Sequence, residues 1–354
     1  MVGISAFMLF PNFQTQEFNQ TVVENIMDGV TTTSIGQNSD SINTNKEENT
    51  AVESPIESDP EIENLLDLNQ TLDIKDNIVS YLLIGSDKRS DVSGDNYIEG
   101  QRADVIILGF FNETLDKNAL ISIPRDTLVT NLCTGEVERI NASFKQNNCG
   151  NGAENIVAAV NNLTGIKIEH IASFDFEGFE KIIDSFNGIE ICVEETQREG
   201  YSFELQKGCQ KVNGSTALNW TRSRNTEVLI GQKIVDEDGN DKSEWKKMEY
   251  VSDLSRVERQ QYLVVQLLNE LETFSSFGEL LQFIQALEET FVVDEGLSIN
   301  KATNILWGLR AIDLNNILKL TVPTTPYQLD DGRQVLILNG NFYEFAKENL
   351  LIDE

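Results

Sequence analysis

The sequence predicts an α/β sandwich, because short apolar runs with the length and branching of buried strands alternate with stretches of helical apolar period. The runs are 78–84, 105–111, 119–123, 188–193 and 335–338, each bounded by turn-forming or polar residues. Helical spacing recurs between them at 153–162 and again at 176–186, where Phe176, Phe179, Ile183 and Phe186 share one face and Gly188 supplies a stop. A longer helix beginning near Leu254 carries Val257, Val264, Val265, Leu268 and Leu271 toward a core and ends near Phe274. An amphipathic stretch over 277–290 follows it.

Three segments divide the 354 residues. Residues 1–10 are apolar but stop at Pro11, far short of the roughly 20 residues that span a bilayer, and they lack the basic flank of a signal peptide. They fit either the last turns of a membrane anchor or an ordinary N-terminus. Residues 11–76 are rich in Asn, Thr, Ser and Glu and read as an acidic disordered linker, with a short helix around 60–68 as the one local exception. Residues 77–354 read as the folded domain.

Charge and composition exclude whole classes of function. Fifty-eight acidic residues against 27 basic ones give a net charge of −31, which repels nucleic-acid phosphates. The imbalance begins early, with 14 acids and 2 bases in 1–77, and continues through the remainder, so a generally acidic, soluble surface accounts for most of it. A single histidine, His170, rules out multi-histidine zinc sites. It reads as a core or capping residue, which leaves carboxylates, arginines and a metal to carry any chemistry. Cys133, Cys149, Cys192 and Cys209 form no zinc-like cluster. Three pairings exist on paper; sequential Cys133–Cys149 and Cys192–Cys209 bridges close short loops, each stabilising by roughly 3 kcal/mol, and would place the domain outside the cytoplasm. Four buried reduced thiols are the alternative.

Seven of the eleven arginines fall in five short motifs: GSDKR (Arg89), QRAD (Arg102), IPRD (Arg125), TRSR (Arg222, Arg224) and SRVERQQ (Arg256, Arg259). In so acidic a chain, guanidiniums grouped at strand ends point to a strongly anionic ligand. Asp87 follows the first strand and Arg125–Asp126 follows the third, so both would emerge at strand C-terminal ends, where α/β proteins bind ligands. Arg102 and Asp104 are two apart, as are Arg222 and Arg224, so in extended chain each pair faces one side. Arg256, Arg259 and Gln260 share a helix face. Taken singly, each motif reads by default as a surface ion pair or a solvated helix face, and it is the ordered set that points to a site.

In order, GSDKR, QRADVIIL, ISIPRDT, RINASF, the stretch from TGIKIEH to GIEICV, TRSR and DLSRVERQQ resemble the motif series of the LytR-CpsA-Psr family over about 77–274. Cys192 and Cys209 resemble those of its cysteine-bearing actinobacterial members. The resemblance implies an α-β-α sandwich around a central mixed β-sheet. It further implies a phosphotransferase that moves a glycopolymer from a polyprenyl-pyrophosphate carrier to a peptidoglycan hydroxyl, with the lipid tail in a groove between sheet and helices. On that footing Asp87 and Asp104 match the carboxylates for Mg²⁺ or Mn²⁺. Arg102, Arg125, Arg222, Arg224 and Arg256 match the pyrophosphate clamp, with Gln260 alongside and Arg89 and Arg259 as second-rank members of the site. Asp126 is placed beside Arg125 as its holder or as a base. The implied setting is the extracytoplasmic face of the plasma membrane, reached through an N-terminal anchor, with no nucleic acid as partner. A carrier-binding scaffold or a lipid pyrophosphatase are the competing readings. QRAD in place of the commoner GRSD, and a polar insertion at 225–252 expected as a loop near the site mouth, are departures from the family pattern.

Overall fold

Apolar residues at alternate positions of the strands build a seven-stranded central sheet with a different helical layer on each face. The computed structural model describes residues 14–16, 19–33, 78–87, 102–112, 118–248, 253–294, 296–311 and 313–349. The sheet contains β1 (Gln14–Gln16), β2 (Ile78–Ser86), β3 (Ala103–Asn112), β4 (Ala119–Ser122), β7 (His170–Asp175), β14 (Phe291–Asp294) and β15 (Leu318–Thr321), in the order β1-β14-β7-β2-β3-β4-β15. It is mixed: β7 runs parallel to β2, and β15 to β4, whereas β3 is antiparallel to both its neighbours.

Leu82, Ile84, Ile106, Leu108 and Ile121 face one layer, and Leu83, Ile107, Leu120 and Ala172 face the other. The first layer is α1 (Gln20–Thr33), α2 (Gly152–Thr164) and α8 (Phe342–Glu348). The second is α5 (Asp253–Glu270), α6 (Phe277–Ala286) and α7 (Ile299–Leu309). This is the expected α-β-α sandwich. Local signals set the helix ends: Asn151 and Glu154 form a reciprocal capping box at α2, and Gly165, at φ 69°, closes it in the left-handed region that glycine adopts freely.

A second apolar cluster flanks this sandwich. It joins α3 (Phe176–Ser185) and α4 (Gly214–Arg222) to the hairpin of β8 (Ile189–Val193) with β11 (Gly208–Val212), through Ile183, Ile191, Ala217 and Trp220. Both expected disulfides form: Cys133–Cys149 ties a loop before α2, and Cys192–Cys209 links facing residues of β8 and β11. Elsewhere β5 (Leu128–Thr130) pairs with β6 (Val137–Arg139), and β16 (Thr324–Gln328) with β17 (Gln334–Leu338).

Two expectations need correction. The 11–76 linker is folded in part: α1 buries Val23 completely and Ile26 to 6% exposure against α2, and Asn19 donates its backbone N–H to Glu154 at 3.1 Å. Averaged composition hid a short apolar face, Val22, Val23, Ile26 and Met27, at helical spacing. Residues 1–10 and the expected helix at 60–68 lie outside the described residues. The insertion at 225–252 is likewise not a plain loop, because β12 (Glu227–Ile230) and β13 (Glu244–Lys247) make a hairpin that joins β9 (Gln197–Glu199) and β10 (Phe203–Leu205) in a four-stranded sheet. Arg198 organises it, bonding Glu227 at 2.9 Å and Asp241 at 2.6 Å while lying 3.9 Å over the Trp245 ring.

Burial of α1 has a measurable consequence. Ile26→Ala should lower stability in urea unfolding by roughly 2–5 kcal/mol, whereas a mutation in a disordered linker would leave the midpoint unchanged.

Candidate functional site

The charged motifs converge at one end of the sheet because β2 and β4 leave it there and β3 enters it there. Gly85 pairs with Val105 but Ser86 pairs with Ala103, so Asp104 is the extra residue of a β-bulge with no partner across the ladder. Such bulges re-aim a side chain, here just where the chain leaves the sheet toward Asp87. Gly85 is needed for the close approach, since a Cβ there would lie 3.0 Å from the Val105 side chain.

Asp87 accepts the backbone N–H of Arg102 at 3.3 Å, which closes β2 onto the start of β3. Arg102 is exposed, Ala103 fully buried and Asp104 half-buried, but Ala103 packs in the first layer and Val105 in the second, so the bulge breaks the two-residue alternation expected here. Asp104 Oδ1 accepts from Arg125 Nη1 at 2.6 Å, with both side chains at 20% exposure or less. Arg125 Nε lies 3.7 Å from Asp126, and Asp126 lies 3.5 Å from Arg139 Nε. The result is a line of alternating charge, Asp104–Arg125–Asp126–Arg139, in which Asp126 holds two arginines. Arg139 escaped selection from sequence even though it heads the RINASF motif; only the pairing of β5 with β6 brings it back beside Asp126.

TRSR is not extended, as its spacing had suggested. Arg222 is the last residue of α4, Ser223 caps the helix with its N–H on the Trp220 carbonyl, and Arg224 follows, both arginines being exposed. The Arg222 guanidinium lies 4.0 Å over the ring of Phe176, the first residue after β7, whose Asp175 pairs with Ser86. Arg222 thus reaches the strand end that delivers Asp87.

On α5, Arg256 and Arg259 are buried, at 5% and 8% exposure. Arg259 donates to the Trp220 carbonyl at 2.9 Å and to Thr226 Oγ1 at 3.1 Å, and burial draws its pKa down to about 10, so it stays charged near neutrality. Those bonds hold it as a strut against the end of α4 and the segment after it. Gln260 is half-buried, and the residue that reaches the sheet is its neighbour: Gln261 Nε2 donates to Ser122 Oγ at 2.9 Å and to the Leu320 carbonyl at 2.5 Å. Arg89 lies outside the described residues.

An apolar cavity of about 240 Å³ opens between the sheet and the second helical layer, lined by Leu83, Ile107, Leu120, Val264, Leu268 and Ala302 among others. It lies on the face from which α5 crosses to β4 and runs along the sheet from Leu83 and Ile107, three residues inward of Ser86 and Asp104, to Tyr81 and Phe111. His170 sits at the other end of the sheet, five rungs or roughly 16 Å along β7 from Asp175. Its Nδ1 is 3.2 Å from Asp294, its Nε2 faces Lys301 Nζ at 2.8 Å, and its ring stacks on Tyr81. Burial, and then Glu169 and Asp294, push the Tyr81 phenol up to about 12. His170 is a core residue, as read from the sequence, and takes no part in the charged cluster.

As a donor set, Asp87 and Asp104 fit a hard divalent cation, which takes one or two carboxylates and completes its shell with phosphate oxygens and water. The one compact group of candidate ligands among the described residues, Glu190 with Cys192 and Cys209, has both sulfurs committed to a disulfide. No helix among the described residues is long and apolar enough to cross a membrane.

Comparison with known proteins gives this geometry a family. The chain is 27% identical over 273 residues to the probable cell wall biosynthesis protein LcpB of Corynebacterium glutamicum, covering 73% of this chain and 57% of that one, so it spans little more than half the length of that relative. It is 24% identical to the polyisoprenyl-teichoic acid–peptidoglycan teichoic acid transferase TagU of Bacillus licheniformis, covering 77% of this chain and 74% of that one. Its fold is similar to the crystal structure of B. subtilis TagV, with a TM-score of 0.60 at 20% identity over 78% of this chain and 97% of that one. A sequence model of the LytR_cpsA_psr family matches residues 21–231, more than half of the chain, and the chain therefore belongs to the LytR-CpsA-Psr family.

Proposed function

We propose that this protein is a cell-envelope phosphotransferase that moves a glycopolymer from a polyprenyl-pyrophosphate carrier to a hydroxyl of peptidoglycan. One observation carries the reading: an arginine and carboxylate cluster stands at the end of a sheet that has an apolar cavity further along one face, so a single ligand with an anionic head and a long hydrocarbon tail could satisfy both. A wholly polar substrate would leave the cavity empty, and a wholly apolar one would leave the guanidiniums unanswered. The names of the relatives, cell wall biosynthesis and teichoic acid transfer, agree in kind.

Phosphoryl transfer asks a protein for positioning and charge neutralisation more than for a nucleophile, which suits a site with no imidazole. Arg125, oriented by Asp104 and Asp126, together with Arg102, Arg222, Arg224 and Arg256, would hold the pyrophosphate. Asp87 and Asp104 are the residues that would hold Mg²⁺ or Mn²⁺, whose charge offsets that of the phosphate oxygens. The peptidoglycan hydroxyl is the nucleophile. Asp126 is engaged with two arginines, which favours a positioning role over that of a base. The cavity would take the first isoprene units of the carrier. Two disulfides support an oxidising location outside the plasma membrane, with an N-terminal anchor as the attachment.

Two measurements test this. With Mg²⁺ and a polyprenyl-pyrophosphate glycan as donor, Arg125→Ala and Asp104→Ala should each cut turnover by about 10²-fold or more; turnover equal to wild type would remove these residues from the site. Ala302→Phe should fill part of the cavity and raise KM for a long-chain lipid donor by about tenfold, from lost apolar burial, while a short-chain donor is affected little; equal KM values for both donors would take the lipid out of the cavity.

A further inference from the structure

On the opposite face of the sheet from the apolar cavity, a polar cleft of about 800 Å³ lies where α1 meets the loop leading into α2. It is lined by Gln20, Gln146, Asn147, Asn148, Asn151 and Glu154, and so by amides in a chain dominated by carboxylates. The single lining carboxylate is already committed, since Glu154 accepts from the backbone of Asn19 at 3.1 Å and of Asn151 at 2.8 Å. The cleft therefore presents neutral donors and acceptors, which suit a neutral hydroxyl-rich ligand over an ion.

The frame of the cleft is rigid and its outward groups are unspent. Asn147 Oδ1 takes the N–H groups of Cys149 and Gly150, Asn155 Nδ2 holds the carbonyls of Lys145 and Gly150, and the Cys133–Cys149 bridge anchors the loop to the segment after β5. The amides of Gln20, Gln146 and Asn148, by contrast, carry no hydrogen bond to other described residues. A fixed backbone with free side-chain amides is pre-organised for binding, because little ordering remains to be done.

Position relates the cleft to the charged cluster. Asn141, one turn before this loop, donates its N–H to the Arg125 carbonyl at 3.1 Å, and the five residues from Asn141 to Gln146 span at most about 18 Å. At its other end α2 leads to Glu169, bonded to Ser80 near the start of β2, so the cleft belongs to the charged end of the sheet. In an in-line displacement the entering and leaving oxygens lie on opposite sides of phosphorus. If the lipid occupies the cavity on the α5–α7 face, its phosphate departs toward that face, and the entering hydroxyl comes from the α1–α2 face, where the cleft is.

We infer that the amide cleft binds the acceptor glycan strand and presents its hydroxyl to the carrier; this rests on the phosphotransferase reading above. In the step it serves, the acceptor oxygen bonds to the glycan-bearing phosphorus and the bond from that phosphorus to the bridging oxygen breaks. Polyprenyl monophosphate leaves with the bridging oxygen, and the hydroxyl proton ends on the leaving phosphate or on water.

The test uses the full chain carrying Gln20→Ala, Gln146→Ala and Asn148→Ala together, with a GlcNAc–MurNAc oligomer as acceptor. The KM for acceptor should rise about tenfold or more from the lost hydrogen bonds, while hydrolysis of the lipid donor without acceptor, which reports folding and donor binding, stays within about twofold of wild type. Transfer by wild type with an unchanged acceptor KM in the variant would overturn the cleft assignment and leave the transferase reading standing. If wild type transfers nothing, the transferase reading itself fails. The cleft is then judged by NMR on the oligomer alone: shifts confined to the Gln146 and Asn148 side-chain amides show glycan binding, and their absence overturns it.

Discussion

The 2.6 Å contact between Asp104 and Arg125 is the constraint around which the polar end of the molecule is arranged. It joins residues from two strands that enter and leave the same end of the sheet, and it needs both placed in advance. Asp104 is free to turn toward Arg125 because the bulge removes it from the ladder. Arg125 is held on its own side by the Asn141 N–H on its carbonyl and by Ile123, whose N–H bonds the Ile106 carbonyl. A charge-assisted hydrogen bond of this kind contributes about 1.5–3 kcal/mol, and breaking it from one side leaves a half-buried charge to be resolvated. The C-terminal hairpin extends the restraint: Leu336 donates to the Asp126 carbonyl at 2.9 Å, and Arg139 donates to the Gln334 carbonyl at 2.7 Å. Residues 195 or more positions apart thereby hold one short segment in place.

Alternation along β2 and β3 then gives the sheet two unlike faces, each with its own use. One face, through Leu83, Ile107 and Leu120, opens onto a hydrocarbon-lined cavity. The other is closed by Leu82, Ile84, Ile106 and α2, and carries the amide cleft where α2 begins. An acidic surface helps here. With a net charge of −31, the surface around the arginine cluster disfavours anions in general, so the cluster stands out against it.

Much of this was legible in the residues, and the parts that were not share a cause. Buried strands appear as apolar runs because both of their faces are covered, and helix ends appear as Asn, Asp, Ser and Gly because those residues satisfy or relax the terminal turn. The arginine motifs were visible as motifs. What sequence spacing could not show was register: nothing in QRAD says that a bulge frees Asp104, and nothing in TRSR says that its first arginine ends a helix instead of lying in a strand. The reach of Gln261 to the sheet, and Arg139 beside Asp126, are matters of one helical step and one hairpin. The helix α1 was missed for a different reason, since four apolar residues in a long polar stretch are outvoted in any average although their spacing is helical.

Helix α5 ties the two halves of the site together through its periodicity. Arg259 fixes it to the end of α4, Gln261 fixes it to Ser122 at the end of β4, and Tyr262 accepts the Cys192 N–H at 3.1 Å beside the second disulfide. One turn further, Val264 and Leu268 line the apolar cavity. A rigid helix with 3.6 residues per turn cannot move one of these sets without the others. The same element therefore carries both Val264 and Leu268 of the cavity lining and the buried Arg256 and Arg259, so the arginines and the apolar wall are held at a fixed separation. That fixed separation follows from the phase of one helix, and under the proposed reading it is what would distinguish a lipid pyrophosphate from its two parts offered singly.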